Sequence, residues 1–350
     1  MPANNDLVLI TGVSGHVGFA VLREALAKGY RVRAAVRSEA KAKLVGENYA
    51  LRGLKTDNNL DFLIIPDFLI PGAFDTAVQD CTYIIHVASP QAIKGDFESA
   101  NLDAEVVQPA VQATLGLLES AAKTPTVKRI VITSSGAAIT PPTAWLNTSG
   151  SSCTSDTRLP EFDPPYENRL MAYVASKVAA LNRAERWIEA QNPAFDAVHL
   201  FPSMVFGWDP LTQTEADLQG CTNRFIVNHA RGHNDAHLPT RSNNYCLLEQ
   251  VARVHVQALD LLQVPGNQGY LITSDGDDGM EYNDIDALVR KHFPEQVEGG
   301  VFRQGAGMQT VRLRVDNRKT EELFGFRHAG FEACVVDTLK GYLTWKKGGG

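Results

Sequence analysis

Three glycines spaced GxxGxxG, Gly12, Gly15 and Gly18, sit between the apolar run Leu7 to Ile10 and a helical pattern from about Val17 to Lys28. A strand that turns through glycines straight into a helix, and is followed by a further apolar run at Arg31 to Val36, is a βαβ unit. Such units close into a parallel sheet covered by helices. The alternation continues with a helix over Glu39 to Val45, runs at Asp61 to Ile65 and Tyr83 to Val87, and a long helix from about Ala100 to Ala122. Arg129 to Thr133, a helix through Tyr173 to about Gln191, and Ala197 to Phe201 complete it. The pattern predicts an α/β fold built on a doubly wound parallel sheet of the Rossmann type.

Beyond Pro202 the pattern loosens into a segment rich in Asp, Thr, Asn and His, with helices expected over Gln250 to Leu262, Asn283 to His292 and Val335 to Trp345. The expected division is a dinucleotide-binding domain over residues 1–202, with parts of 240–275 returning to it, and a smaller carboxyl-terminal substrate lobe over 203–350. The stretch from Thr140 to Pro165 is too long for a plain connection and reads as either a substrate mouth or a surface loop.

The chain has 350 residues, 44% of them hydrophobic, enough for a sizeable core. Its net charge of −7 and pI of about 5.7 argue against a nucleic-acid surface, which needs a basic face to replace phosphate counterions. Cys81, Cys153, Cys221, Cys246 and Cys334 are scattered, without zinc-ligand spacing, so no metal is expected and reduced thiols in the cytoplasm fit best. Met1 to Asp6 lacks the character of a signal peptide, and the most apolar window, Phe62 to Ile70, is broken by Pro66 and Asp67, so no membrane span is expected. Gly348 to Gly350 read as a frayed end or an expression scar.

In Gly12-Val13-Ser14-Gly15-His16-Val17-Gly18 the glycines let backbone N–H groups approach a pyrophosphate, which rests on the positive end of the following helix. Where an acidic residue would take the ribose 2′-OH of NAD, at the end of the second strand, the chain carries Arg37. With Arg33 before it and Lys41 one helical turn later, this corner suits the 2′-phosphate of NADP. Asp67, past the third strand, is placed either to accept the adenine amino group or to cap a short helix near Ala73. Ala88 and Ser89 end the fourth strand beside the expected pyrophosphate, and His86 reads as a hydrogen-bonded wall residue.

Tyr173 and Lys177, four apart, share one face of a helix, where an ammonium beside a phenol lowers the phenol's pKa. Reducing a carbonyl requires a proton for the developing alkoxide, and a tyrosine near pKa 10 needs that help. Ser135, favoured over Ser134 at the end of the fifth strand, is placed to hydrogen-bond the same carbonyl oxygen. Alone, each has an ordinary alternative: a turn at Ser134 and Ser135, or a surface lysine beside Arg183 and Arg186.

The chain resembles the extended short-chain dehydrogenases/reductases, within them the dihydroflavonol reductase-like and fungal aldehyde/ketone reductase group. The likeness rests on Ile85-His86-Val87-Ala88-Ser89-Pro90, Val107 to Ala121, Val131-Ile132-Thr133-Ser134-Ser135, Tyr173 to Lys177, Pro202 to Gly207 and Val251 to Val256. It implies NADPH-dependent reduction of an aldehyde or ketone, with Ser135, Tyr173 and Lys177 as the triad. It implies further that Arg37 and Lys41 meet the 2′-phosphate and that Pro202, Ser203 and Val205 line the nicotinamide side. Two positions depart from the group: Gln112 stands where many relatives carry asparagine, which puts a four-member proton relay in doubt, and Leu247-Leu248-Glu249-Gln250 replaces an acidic pair.

Two other functions remain open: an NADP-sensing regulator without turnover, and a sugar-nucleotide epimerase or dehydratase. A regulator usually lacks the complete triad, and an epimerase would want a carboxylate near the serine, where this chain has Gly136-Ala137-Ala138-Ile139. The expected partner is a small carbonyl compound, met by a monomer or homodimer. Trp145, Phe162, Tyr166, Trp208, Phe225 and Tyr245 suggest a fairly large apolar or aromatic one, although core packing explains aromatics more often than ligand contact does.

Overall fold

Strand β1 (Leu7–Thr11) is buried along its whole length, as a central strand covered on both faces requires. The computed structural model describes residues 6–89, 101–141, 144, 152–233, 241–274, 280–303, 305, 307 and 309–348. After β1 come α1 (His16–Ala27), β2 (Arg31–Val36), α2 (Glu39–Gly46), β3 (Leu60–Ile64), β4 (Tyr83–His86), α3 (Gln108–Ala122), β5 (Arg129–Thr133), β6 (Ser152–Thr154) and α4 (Arg169–Gln191). There follow β7 (Asp196–Pro202), β8 (Met204–Phe206), α5 (Glu215–Gln219), α6 (Arg224–Ala230), β9 (Arg241–Ser242), β10 (Tyr245–Leu247), α7 (Leu248–Gln257) and β11 (Gln268–Ile272). Last are α8 (Asp284–His292), α9 (Pro294–Glu298), β12 (Thr310–Val311), β13 (Arg314–Asp316), α10 (Arg318–Phe324) and α11 (Phe331–Lys347).

Two compact units account for the chain. The first comprises residues 1–139, 156–201 and 252–270, and the second 140–155, 202–251 and 271–350. A seven-stranded sheet runs in the order β11-β7-β5-β4-β1-β2-β3. The pairs β1–β2, β2–β3, β1–β4, β4–β5 and β5–β7 are all parallel. The chain builds outward from β1 through β2 to β3, then crosses back to lay β4 on the other side of β1. That reversal is the switch point at whose carboxyl edge a doubly wound sheet opens its ligand crevice. In register there, Thr11 stands beside His86.

The apolar core of the first unit packs Leu9, Ile84, Ile130 and Ile132 from the strands against Leu117, Leu118 and Ala121 of α3, with Phe68 and Phe74 from the connection after β3. Arg129, at the start of β5, is 1% exposed. Its guanidinium donates to both carboxylate oxygens of Asp196, at 2.6 and 2.8 Å, and to the carbonyls of Ala258 and Asp260. A buried cation paired and bonded at every face ties these segments together.

The helix expected from Ala100 is not regular throughout. Residues Asp103–Val107 form a widened π-type turn, and α3 begins only at Gln108, with Pro109 in its first turn. A proline there lacks the N–H that a continuing α-helix would need. Helix α4 is cleanly bounded: the Asn168 side chain accepts from Met171 N–H, and Asn192 closes the far end in the left-handed region.

The second unit has an aromatic core in which the Phe331 ring meets Phe206, Tyr245 and Tyr282. Its strands form short parallel pairs, β8 with β10, β9 with β12, and β6 with β13.

Candidate active site

The turn from β1 into α1 is built from glycines for two different reasons. Gly12 has φ +78°, and a Cβ there would stand 2.7 Å from Ala88 N; at Gly18 a Cβ would meet Gly12 O at 2.0 Å. These two are demanded by the chain's own packing. Gly15 is different, since a Cβ there would find only Gly12 O at 3.5 Å, an ordinary contact, and its φ is −119°. No side chain caps the N-terminus of α1. The absent side chain at Gly15 therefore leaves open the approach to the helix's first N–H groups, as a pyrophosphate requires. His16 and Val17, in the first turn of α1, are half-buried.

At the end of β2, Arg37 is exposed and its guanidinium stands 5.7 Å from the centroid of the Phe68 ring. Lys41 is exposed on α2, and neither forms an ion pair among the described residues. Arg33 is otherwise engaged: it donates to the carbonyls of Ala77 and Gln79, at 2.9 and 2.7 Å. The cationic corner is thus Arg37 and Lys41. Asp67 is exposed and accepts from Leu69 N–H at 2.8 Å, closing a local turn. These residues fit an NADP: open N–H groups for the diphosphate and unpaired cations, with no carboxylate, at the end of β2.

The chemical residues converge at the carboxyl ends of β4 and β5. Backbone pairing continues past β5, with Ser134 N–H donating to Leu200 O at 2.8 Å. The next residue, Ser135, is extended, caps a short turn at Gly136–Ala138 and accepts from Ala137 N–H at 3.1 Å. Its hydroxyl lies near enough to the Tyr173 phenol to bear on that group's acidity. Tyr173 is half-buried on α4, and Lys177, one turn on, is 7% exposed. The Lys177 ammonium lies 5.6 Å from the Tyr173 ring centroid and donates to Ser89 Oγ at 2.9 Å. Ser89, expected at the cofactor, is thus also the lysine's anchor. Ala88 N–H donates to Thr11 Oγ1, which stands 2.9 Å from His86 Nδ1.

The electrostatics differ from the expectation in one respect. Burial raises the Tyr173 phenol above its ordinary range, with the Ser135 hydroxyl opposing it. Burial also pushes Lys177 down to about 8. Taking both groups out of water disfavours the phenolate and the ammonium alike, and this outweighs any help that the lysine lends the phenol.

Pro202, Ser203 and Val205 belong to the second unit. Ser203 N–H donates to Ile272 O at 3.1 Å and its hydroxyl accepts from Thr273 Oγ1 at 2.8 Å, while Val205 pairs with Cys246. Phe225 and Tyr245 are buried core of that unit, against which Trp208 packs. Phe162 and Tyr166 pack against the α3–α4 cluster of the first, and Trp145 lies outside the described residues. Among the described residues no group of side chains could hold a metal ion, and no helix is long and apolar enough to cross a membrane.

Comparison with known proteins agrees with the resemblance carried by the motifs. The pattern of the NAD dependent epimerase/dehydratase family matches residues 8–271. The chain is 40% identical over 346 residues to the ketoreductase CTB6 of Cercospora nicotianae, covering 97% of this chain and 95% of that one. It is 32% identical to the protein named NAD-dependent epimerase/dehydratase ALT6 of Alternaria alternata, over 94% of this chain and 96% of that one. Its fold matches that of the yeast methylglyoxal/isovaleraldehyde reductase Gre2, solved with NADPH, with a TM-score of 0.78 at 20% identity, over 97% of this chain and 99% of the other. The chain belongs to the NAD dependent epimerase/dehydratase family, and its relatives there include a fungal ketoreductase.

Proposed function

We propose that the protein is an NADPH-dependent carbonyl reductase that converts a ketone or aldehyde to an alcohol, with Tyr173 as proton donor. The observation that carries this reading is the meeting of three groups at one strand edge: Ser135 near the Tyr173 phenol, and Lys177 held beside the Tyr173 ring by Ser89. The relative named a ketoreductase supports the reaction class. Arg37 and Lys41 support NADP over NAD, as does the NADPH held by the similar yeast fold.

NADPH, when bound, supplies the hydride. The chain's own residues manage the oxygen. The Ser135 hydroxyl donates to the substrate's carbonyl oxygen and holds it within reach of Tyr173, and as negative charge gathers on that oxygen the phenol gives up its proton. The phenolate left behind is stabilised by the Lys177 ammonium, which Ser89 keeps in place. One hydride and one proton are added across the C=O bond, and Tyr173 regains its proton from solvent. The buried setting strengthens each of these contacts relative to water.

Epimerase or dehydratase chemistry, which the name of ALT6 carries, finds less support here. Gly136, Ala137 and Ala138 put no carboxylate beside Ser135, and Arg37 stands where NAD would want an acid. The five cysteines are free thiols, which suits a reducing compartment such as the cytoplasm. The test is to offer NADPH and a panel of ketones and aldehydes. NADPH loss with an equal yield of alcohol is expected for at least one of them, and no loss on any carbonyl overturns the reading.

A further inference from the structure

Lys177 also borders a small cavity beneath the strand ends. A cavity of about 20 Å³ is lined by Lys177 together with His86, Ser89, Thr133, Ser134 and His199, among others. A space of this size holds one water, provided that polar groups receive it. Such groups are present: His86 Nε2 and both ring nitrogens of His199 are buried without a hydrogen-bond partner in the protein, and each residue is only 2% exposed. A buried donor or acceptor left unmet is costly, so two such residues lining one small cavity call for an occupant.

The hydrogen bonds indicate what each group offers. Thr11 Oγ1 accepts from Ala88 N–H and stands 2.9 Å from His86 Nδ1, so that ring nitrogen is already engaged. His86 Nε2 is the position left over, a donor in one tautomer of the ring and an acceptor in the other. His199 is neutral, with one bare nitrogen and one N–H. Burial pushes it down to about 4, with Arg158 adding to the drop and Glu185 opposing it. Burial, then the Lys177 charge, brings His86 down to about 3, so two neutral rings face one ammonium. Lys177 has three N–H groups, of which Ser89 takes one. Thr133 is committed elsewhere, its hydroxyl 2.7 Å from His255 Nε2. Gln112, at the position where relatives carry an asparagine, is exposed on α3 and does not border the cavity.

We propose that this cavity is a built water site, in which one buried water accepts from Lys177 and hydrogen-bonds His86 Nε2 and one ring nitrogen of His199. His86 and His199 are then positioning residues: they hold the water that holds the lysine. The water supplies an acceptor for the ammonium on its interior side and so favours the charged form that Tyr173 needs. Only that last consequence rests on the reductase reading; the water site stands on the geometry alone.

Two measurements on the full chain test it without turnover. Relaxation dispersion of water oxygen counts long-lived internal waters, and NMR of isotope-labelled lysine, assigned with Lys177→Met, follows the Lys177 titration. His199→Phe, which fills space without a nitrogen, is expected to remove one long-lived water and to lower the Lys177 midpoint by about one unit. His199→Gln, which keeps an acceptor of similar reach, is expected to retain both the water and the midpoint. An unchanged water count and midpoint in folded His199→Phe overturn the proposal, and so does an equal loss in folded His199→Gln. A chain that shows the water yet reduces no carbonyl would sink the reductase reading and leave the site standing.

Discussion

The Lys177 ammonium donates to the Ser89 hydroxyl at 2.9 Å, joining α4 to the residue just beyond β4 across 88 positions of sequence. The bond fixes the lysine on the side of α4 that also carries Tyr173, and Ser135 completes the group from the end of β5. A buried lysine so held is a costly arrangement, and its cost has a sign and a pH window.

Lys177 releases its proton near pH 8 in the folded chain, against an ordinary value of 10.5. The unfolded chain therefore binds more protons between those values, and stability rises as pH climbs through that window. Below pH 8 the full cost of burying the charge is present. Lys177→Met should be more stable than the wild type at pH 7, by about 2–3 kcal/mol, while losing activity. Chemical denaturation at pH 7 and near pH 10 checks this, and the gain should shrink at the higher pH.

The glycines of the first turn should separate by role. Gly18→Ala places a Cβ 2.0 Å from Gly12 O and is expected to cost about 3 kcal/mol or more. Gly15→Ala meets only an ordinary contact and should fold with a loss of about 1 kcal/mol or less. Its NADPH affinity should nevertheless fall by about tenfold or more, because the methyl group obstructs the helix N-terminus. Thermal melting with a cofactor titration on the two variants reads both effects.

Arg37 is exposed and its one described contact is the Phe68 ring, so replacing it should leave stability nearly unchanged. Arg37→Asp removes a charge-assisted bond to a 2′-phosphate and offers a carboxylate to a ribose hydroxyl. The ratio of kcat/KM for NADPH to that for NADH should fall by about 10- to 100-fold. Steady-state kinetics with the two cofactors decides it, and an unchanged ratio would place the reading of the phosphate elsewhere.

The sheet and the glycine turn were legible because both rest on local rules. A strand entering a helix through glycines, repeated alternation, and Arg37 in place of an acid are visible in the residues themselves. What depends on distant partners was not. Arg33 looks like part of the cationic corner until the loop carbonyls of Ala77 and Gln79 claim it. The interruption of the α3 helix and the seventh strand, β11, also escaped notice, the latter because it enters the sheet long after the alternation has lapsed. Nothing local announced that Thr140–Ser155 belongs with the second unit, since its strand β6 finds its partner in β13. Nothing local singles out His199 within the apolar run Ala197 to Phe201; its place beside the cavity at Lys177 appears only in the fold. The Tyr173 phenol was expected to be lowered by Lys177, but proximity in sequence carries no information on burial, and burial prevails.

The most direct measurement is the single-turnover rate of carbonyl reduction by Tyr173→Phe, compared with wild type at saturating NADPH and with cofactor binding measured in parallel. Removing one hydroxyl should leave NADPH affinity within about twofold and lower the rate by about 10²- to 10⁴-fold, the usual worth of a positioned proton donor. A folded Tyr173→Phe protein that reduces the same carbonyl as fast as the wild type would contradict the account.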